Sequence, residues 1–259
     1  MSSIPIMSLL LTAVPDIPHI QSGDDIAEVI LAALATAGLT LQDSDILVIA
    51  QKIISKAEGR SVNLADVTVG ERAREVAAQT GKDPRLVELI LQESDEISRL
   101  REGVLIVRHR LGFTSANAGI DRSNVSQPGG EERVLLLPLD PDGSAAGIRA
   151  VLEARSGVQV GVIVSDTHGR PFRQGNVGVA IGVAGLPALW DRRGEFDLYG
   201  YELQHTTIAV ADEIAAAAGL LMGQASEGLP VVLVRGLQLP PVEGKAQDLV
   251  RPKEMDLYR

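Results

Sequence analysis

Apolar residues fall in short blocks separated by polar, glycine-containing breaks, and the period within each block predicts its element. The apolar block "IPIMSLLL" (4–11) predicts a first strand over residues 4–12. "GDDIAEVILAALATAG" (23–38) sets Ile26, Ile30, Leu31 and Leu34 at helical spacing and stops at Gly38. "DILVIAQKIISKAEGR" (45–60) reads as one or two strands flanking a tight polar segment. Thr68-x-x-Glu71 has the form of a capping box and opens a helical region, and a second helix runs from Pro84 to about Glu93. "GVLIVR" (103–108) is a strand, whereas "FTSANAGIDRSNV" (113–125) is too small and polar for core. "DPDGSAAGIRAVLEARSG" (140–157) gives a turn and a helix closed by Gly157, followed by a strand over 158–165. "NVGVAIGVAGLPAL" (176–189) predicts a buried glycine-rich strand, "TTIAVADEIAAAAGLLMGQ" (206–224) a long Ala-rich helix and "PVVLVRG" (230–236) a closing strand.

Strands and helices are mixed without regular βαβ alternation, so the expected class is α+β, an irregular mixed α/β arrangement. The 259 residues suit a single domain, with a small helical subdomain expected at about 65–100. The chain has no cysteine, which excludes disulfides and thiolate chemistry. A net charge of −10 and an aromatic content of 3% disfavour general nucleic-acid binding, so an anionic ligand needs a local cationic cluster. The apolar start is short and no basic region precedes it, so it reads as a strand rather than a signal peptide. No apolar run approaches a membrane span, and the expectation is a soluble, cytoplasmic protein.

Familiar nucleotide signatures are missing. Gly81-Lys82 and Gly244-Lys245 are followed by Asp83 and Ala246, so neither makes a P-loop. Gly175, Gly178, Gly182 and Gly185 match no dinucleotide fingerprint and read as a strand packed closely on a neighbour. His109 and His205 read as structural.

Three polar stretches carry candidate chemistry. In "QKIISKAEGR", Lys52, Ser55, Lys56 and Arg60 surround a strand exit and suit phosphate oxygens. "NAGIDRSN" carries Asn117, Asp121, Arg122, Ser123 and Asn124, whose oxygens suit a hard cation. In "VIVSDTHGRPFRQGNVG" (162–178) an apolar strand gives way to Asp166, Thr167, His168, Arg170 and Arg173, on a segment that Gly169 and Pro171 make turn-like. A surface turn and a ligand-facing strand end both fit that change. Together, two carboxylates from separate segments and nearby cations point to metal-assisted phosphate chemistry.

Six motifs in register, "ISKAEGR", "NAGIDRSNV", "LPLDPDGSA", "SDTHGRPFRQG", "DLYGYEL" and "VADEIAAAAGLLMGQ", resemble those of the coenzyme F420-0:L-glutamate ligases over nearly the whole chain. The length matches the family's stand-alone form, without the nitroreductase-like domain of some bacterial relatives. The resemblance implies an F420 ligase-like fold without a P-loop or Rossmann motif. It implies a cytoplasmic, homodimeric, GTP-dependent enzyme of coenzyme F420 biosynthesis that joins L-glutamate to F420-0, and further γ-linked glutamates, through an acyl phosphate, releasing GDP and phosphate. It implies two divalent ions, Mg²⁺ or Mn²⁺, with K⁺ as an additional candidate.

Carried over by residue, Asp121 and Asp166 resemble metal-binding carboxylates, with Thr167 on a second metal and Gln224 standing where some members carry an acid. Lys56 resembles the phosphate-binding lysine, and Asp121, Asp166 and Lys56 form the implied catalytic set. Ile17, Pro18 and His19, Gln51 and Lys52, and Asn124 resemble GTP contacts, and Asp16 replaces the glycine that usually begins the first of these segments. Arg170 and Arg173 suit the anionic acceptor through their forked guanidinium groups. Two alternatives fit the same residues: a non-catalytic binder of F420 or of a phosphorylated metabolite, and a ligase of this mechanism acting on another carboxylate.

Overall fold

The structure, a computed structural model, describes residues 8–255. Strand β1 (Leu10–Ala13) occupies the end of the first apolar block; positions 4–7 of the expected strand lie outside the described residues. Helix α1 (Ile26–Thr36) begins where the Asp25 carboxylate accepts the N–H groups of Ala27 and Glu28, and it buries Ile26, Ile30 and Leu34 as its spacing requires. β2 (Asp45–Ala50) passes directly into α2 (Gln51–Ala57). The expected second strand is therefore a helix. Its polar pairs Gln51/Ser55 and Lys52/Lys56 recur every four residues while Ile53 and Ile54 turn into the core, a period too short-lived to read from seven positions.

β3 (Ser61–Asn63) leads to α3 (Glu71–Thr80) and α4 (Pro84–Gln92). The capping box at Thr68 does not form. Gly70 is the N-cap of α3, and its N–H donates to Glu88 of α4 at 2.8 Å instead. β4 (Ser94–Arg101), β5 (Val104–His109) and β6 (Thr114–Ala116) make an antiparallel three-stranded sheet beside the helix pair, and β4 falls at the end of the segment expected to be helical. The core they share joins Val76, Val87 and Ile90 of the helices to Leu105 and Val107, and also takes in Ala118 from the segment expected to hold no core residue.

β7 (Arg133–Leu135) pairs with β3, and α5 (Pro141–Ser156) ends at left-handed Gly157 as expected. β8 (Val160–Arg170) and β9 (Arg173–Ala184) form a long hairpin. Short strands β10 (Trp190–Asp191) and β11 (Thr207–Ile208) bracket an excursion before α6 (Val210–Met222) and the closing β12 (Val231–Arg235).

The main sheet has five strands in the order β1-β12-β2-β8-β9, with only β2 and β8 parallel. Strand alternation divides its side chains between two cores. Leu47, Ile49, Val162 and Val164 face α1 and α5; Ile46, Val48, Ile163 and Val232 face α6. The glycine series of β9 serves this packing. A Cβ on Gly178 would lie 2.6 Å from the Ala215 carbonyl oxygen, and one on Gly182 would lie 2.3 Å from that of Pro141, so only glycine lets both helices approach. The combination of helices and mixed sheets confirms the α+β class. Among the described residues, no helix is long and apolar enough to cross a membrane.

A charged cluster closes the seam between the smaller unit and the main sheet. The Glu93 carboxylate, where α4 meets β4, forms an ion pair with Arg60 at 2.9 Å and accepts from Arg110 Nε at 3.1 Å, with His109 Nε2 at 3.6 Å. Both arginines also donate to the chain entering α5, at the Leu137 and Leu139 carbonyls. Burial pushes the Glu93 carboxyl up, but His109, Arg60 and Arg110 together outweigh it and hold the group at about 2. Replacing Glu93 by Gln should lower the unfolding free energy by about 2–3 kcal/mol at neutral pH. A depressed folded-state value means that this contribution is whole above the ordinary glutamate value of 4.5 and is lost as pH falls toward 2. Urea midpoints of parent and variant should therefore converge on acidification; identical midpoints at pH 7 would remove Glu93 from this role.

Candidate active site

β1, β2 and β8 run in one direction and β12 in the other, so three chain exits and one entry meet at a single sheet edge. The Val14 N–H donates to the Val231 carbonyl and the Ala50 N–H to that of Pro230, both at the end of the ladder. Segments 16–20, 51–56 and 224–230 therefore open from the same edge, with Ser165 of β8 in register with Ala50. β8 does not stop there. It runs on through Arg170, which corrects the expected end at 165, and the chain reverses only at Pro171–Phe172, with Phe172 at φ 59°. The extra length follows from pairing with β9, a long-range contact that the polar composition of this stretch conceals.

Asp121 reaches this edge on a backbone-fixed loop. Its N–H and C=O exchange bonds with Leu135 at 2.9 Å each. Before it, Asn117, Ala118 and Gly119 are successively left-handed at φ 53°, 55° and 66°. That turn presses Gly119 against β8: a Cβ there would lie 2.9 Å from Leu137 and 3.5 Å from Asp166 Oδ2. Left-handed non-glycine residues cost energy and persist where the surroundings enforce them, as Leu135 and Leu137 do here.

The charges of the two loops meet on α2. Gln51 Nε2 donates to Asp121 Oδ2 at 2.8 Å, and the Lys52 ammonium pairs with the same oxygen. Ser55 donates to Gln51 Oε1 at 2.8 Å, so the buried amide is held with its N–H₂ toward the carboxylate. Burial raises the Asp121 carboxyl above its ordinary value; Asp166 adds to the rise, while Lys52 and Gln51 oppose it. Lys56, one turn after Lys52, is lowered by burial and by the Lys52 charge. Two crowded carboxylates thus stand beside two crowded ammonium groups.

Other candidates divide between this edge and positions away from it. Asp16 takes φ 58°, so the chain keeps the left-handed conformation that glycine favours, which Asp tolerates. Ile17 packs against the core, and Pro18 and His19 are exposed beyond it. Asn124, also left-handed, donates to the Ala225 carbonyl at 2.9 Å and ties the Asp121 loop to the segment holding exposed Gln224. Thr167 follows Asp166 in an extended strand, so its side chain takes the opposite face of the hairpin. Arg170 and Arg173 are exposed at the hairpin tip, about 13 Å along the strand from Asp166.

One cation and one hydroxyl of the first polar stretch are not available to a ligand. Arg60 is committed to Glu93 and Leu137, and Ser55 is fully buried on Gln51. His109 is buried and structural, whereas His205 is exposed. The sequence reading gave no role to His168, whose Nε2–H donates to Asp166 Oδ2 at 3.0 Å. Its signal was the two-residue spacing from Asp166, which puts both on one strand face once β8 is seen to continue.

Among the described residues no group of three or more His, Cys, Asp or Glu is arranged to hold a metal ion. Asp121 and Asp166 nonetheless suit Mg²⁺ or Mn²⁺, which take one or two carboxylates and complete their shell with phosphate oxygens and water. The Asp121 carboxyl is raised chiefly by burial, and the like charge of Asp166 adds to the rise, a repulsion that a divalent ion would offset. Asn117 Oδ1 adds a buried oxygen without a hydrogen-bond partner in the same turn.

The profile of the F420-0:Gamma-glutamyl ligase family matches residues 16–236. The chain belongs to this family. Proteins named coenzyme F420:L-glutamate ligase are similar over most of its length. That of Methanothermobacter thermautotrophicus is 49% identical over 255 residues, covering 98% of this chain and 100% of its own. Those of Methanocaldococcus jannaschii (47%, covering 85% and 86%) and Methanopyrus kandleri (45%, covering 97% and 98%) follow. The family match spans every candidate residue, from Ile17 to Gln224.

Within this family member, the Lys52–Asp121 pair generates a direct test. Lys52→Met leaves a partly buried carboxylate uncompensated and should destabilise the fold by about 1–3 kcal/mol. Millimolar Mg²⁺ should restore more of the melting temperature in this variant than in the parent, because a divalent ion replaces the missing charge. Equal Mg²⁺ shifts in the two proteins would separate Asp121 from cation binding.

Proposed function

We propose that this chain is a GTP-dependent ligase that joins L-glutamate to coenzyme F420-0, and further γ-linked glutamates to the product. The observation that carries the reading is the meeting of Lys52 and Lys56 with Asp121 and Asp166 at one sheet edge. A carboxylate is a poor electrophile, and transfer of the γ-phosphoryl group of GTP to its oxygen turns it into an acyl phosphate. The glutamate nitrogen then bonds to the carbonyl carbon, the C–O bond to phosphate breaks, phosphate leaves with that electron pair, and the amine proton passes to solvent. GDP and phosphate are the other products.

Each step concentrates negative charge that this chain's residues offset. Lys52 and Lys56 face the phosphates, with Gln51, Asn124 and the segment Ile17, Pro18 and His19 around the nucleotide. Asp121 and Asp166 would hold one divalent ion, Mg²⁺ or Mn²⁺, and Thr167 and Gln224 would be the residues available to a second. Such an ion supplies Lewis-acid polarisation of the phosphoryl oxygens. Arg170 and Arg173, forks on an exposed arm, hold anionic groups of the acceptor at a distance from the carboxylates. The protein works as a homodimer: Phe196, Leu198, Tyr199 and Tyr201 are exposed together in the β10–β11 excursion, an apolar surface suited to a second copy.

Four outcomes test this reading. GDP and phosphate release should require F420-0 and glutamate together, and Asp166→Asn should lower kcat about 10²- to 10³-fold with the fold retained; release without F420-0, or a variant with near-normal turnover, would sink it. Arg173→Lys keeps charge but loses the fork, so KM for F420-0 should rise several-fold while KM for GTP holds. Unchanged KM for F420-0 would leave the arm without this role. Sedimentation of Leu198→Asp should show a monomer where the parent sediments as a dimer.

A further inference from the structure

His168 stands between Asp166 and a stack of rings that leads into the buried seam. The Phe113 ring lies 4.9 Å from His168, tilted by 49°, and 5.3 Å from His109, nearly parallel at 9°. His109 is fully buried and cannot turn freely: its Nδ1 accepts the Leu111 N–H at 3.0 Å, so the neutral ring carries its proton on Nε2, toward Glu93. His109 thereby fixes Phe113 from one side, and Phe113 limits the rotation of His168 from the other. His168 engages one carboxylate oxygen of Asp166, Oδ2, while among the described residues no side chain hydrogen-bonds to Oδ1. Side-chain exposures of 13% and 11% show that the pair is largely shielded from water. An aspartate on an open strand has two free torsions, and a donor locked on one oxygen removes that freedom before any ligand arrives.

We propose that His168 is a positioning residue: held by Phe113, it fixes the Asp166 carboxylate so that Oδ1 is presented to a divalent cation. The inference rests on Asp166 being a metal carboxylate, as proposed above. Partners of this kind orient metal ligands, and their loss costs about 10- to 100-fold in metal affinity.

The test is Mn²⁺ binding by the full chain, read from the free-ion signal in electron paramagnetic resonance, without GTP, F420-0 or glutamate. His168→Leu should weaken Mn²⁺ binding about 10- to 100-fold with little change in melting temperature. His168→Gln, which keeps an N–H donor at similar reach, should restore most of the affinity. His168→Asn, polar but too short to reach Oδ2, should behave like the Leu variant and carries the test if that variant misfolds. Phe113→Leu should give a smaller loss in the same direction. Asp166→Asn separates the two ideas. If it weakens Mn²⁺ binding while folded His168 variants bind like the parent, the positioning role falls and the metal reading stands. If Asp166→Asn binds Mn²⁺ like the parent, or the parent has no Mn²⁺ site, both fall together.

Discussion

The parallel register of β2 and β8 is the constraint on which the site depends. Ala50 lies opposite Ser165, so the first residues of α2 and the first polar residue of β8 leave the sheet at the same level. Parallel neighbours need a long crossover, and here the chain between them builds the smaller unit, the Asp121 loop and α5. That excursion returns Asp121 to Gln51 and Lys52, seventy and sixty-nine residues earlier. A one-residue slip in β8 would send Asp166 to the face of α6 and separate it from Asp121. Buried Val162 and Val164 on one face, and Ile163 on the other, make such a slip costly.

The charges gathered at that edge are balanced only in part. Lys52 answers Asp121 and His168 answers one oxygen of Asp166, while Lys56 carries a second cation against its neighbour. A metal–polyphosphate ligand is positive where the carboxylates stand and negative where the lysines stand. It would relieve both crowded pairs at once, which neither a bare anion nor a bare cation could do. The protein holds this tension because Leu135 and Leu137 fix the loop through backbone bonds and packing.

Much of this was legible in the sequence where a local rule governs. Pro84 and Gly157 mark helix ends that the structure reproduces, α1 stops just before Gly38, and the β2, β5 and β12 blocks form strands. Asp121, Asp166, Gln51, Lys52 and Lys56 were named from residue type and family resemblance, and the fold brings their segments to one edge. What escaped reading depends on distant partners. The helix α2 is too short to show its period, and Gly70 is served by Glu88 rather than by a capping box. Arg60 resembled a phosphate ligand because its partner, Glu93, lies beyond an intervening helix pair. The continuation of β8 past Ser165 was hidden by polar residues, since a hairpin clear of the core has no apolar alternation to betray it.

That hairpin divides mechanically at its glycines. Gly178 admits α6 and Gly182 admits α5 against the two faces of β9, clamping the hairpin where Asp166 is attached. Beyond Gly169 and Asn176 the residues of the arm are exposed, and the pairing of Arg170 with Arg173 closes it. Such a segment opens at small free-energy cost, whereas its root opens only when the sheet does. The two ends therefore have separate tolerances. The tip can shift without disturbing the carboxylate at its base, and a single covalent ribbon serves as both a rigid mount and a compliant reach.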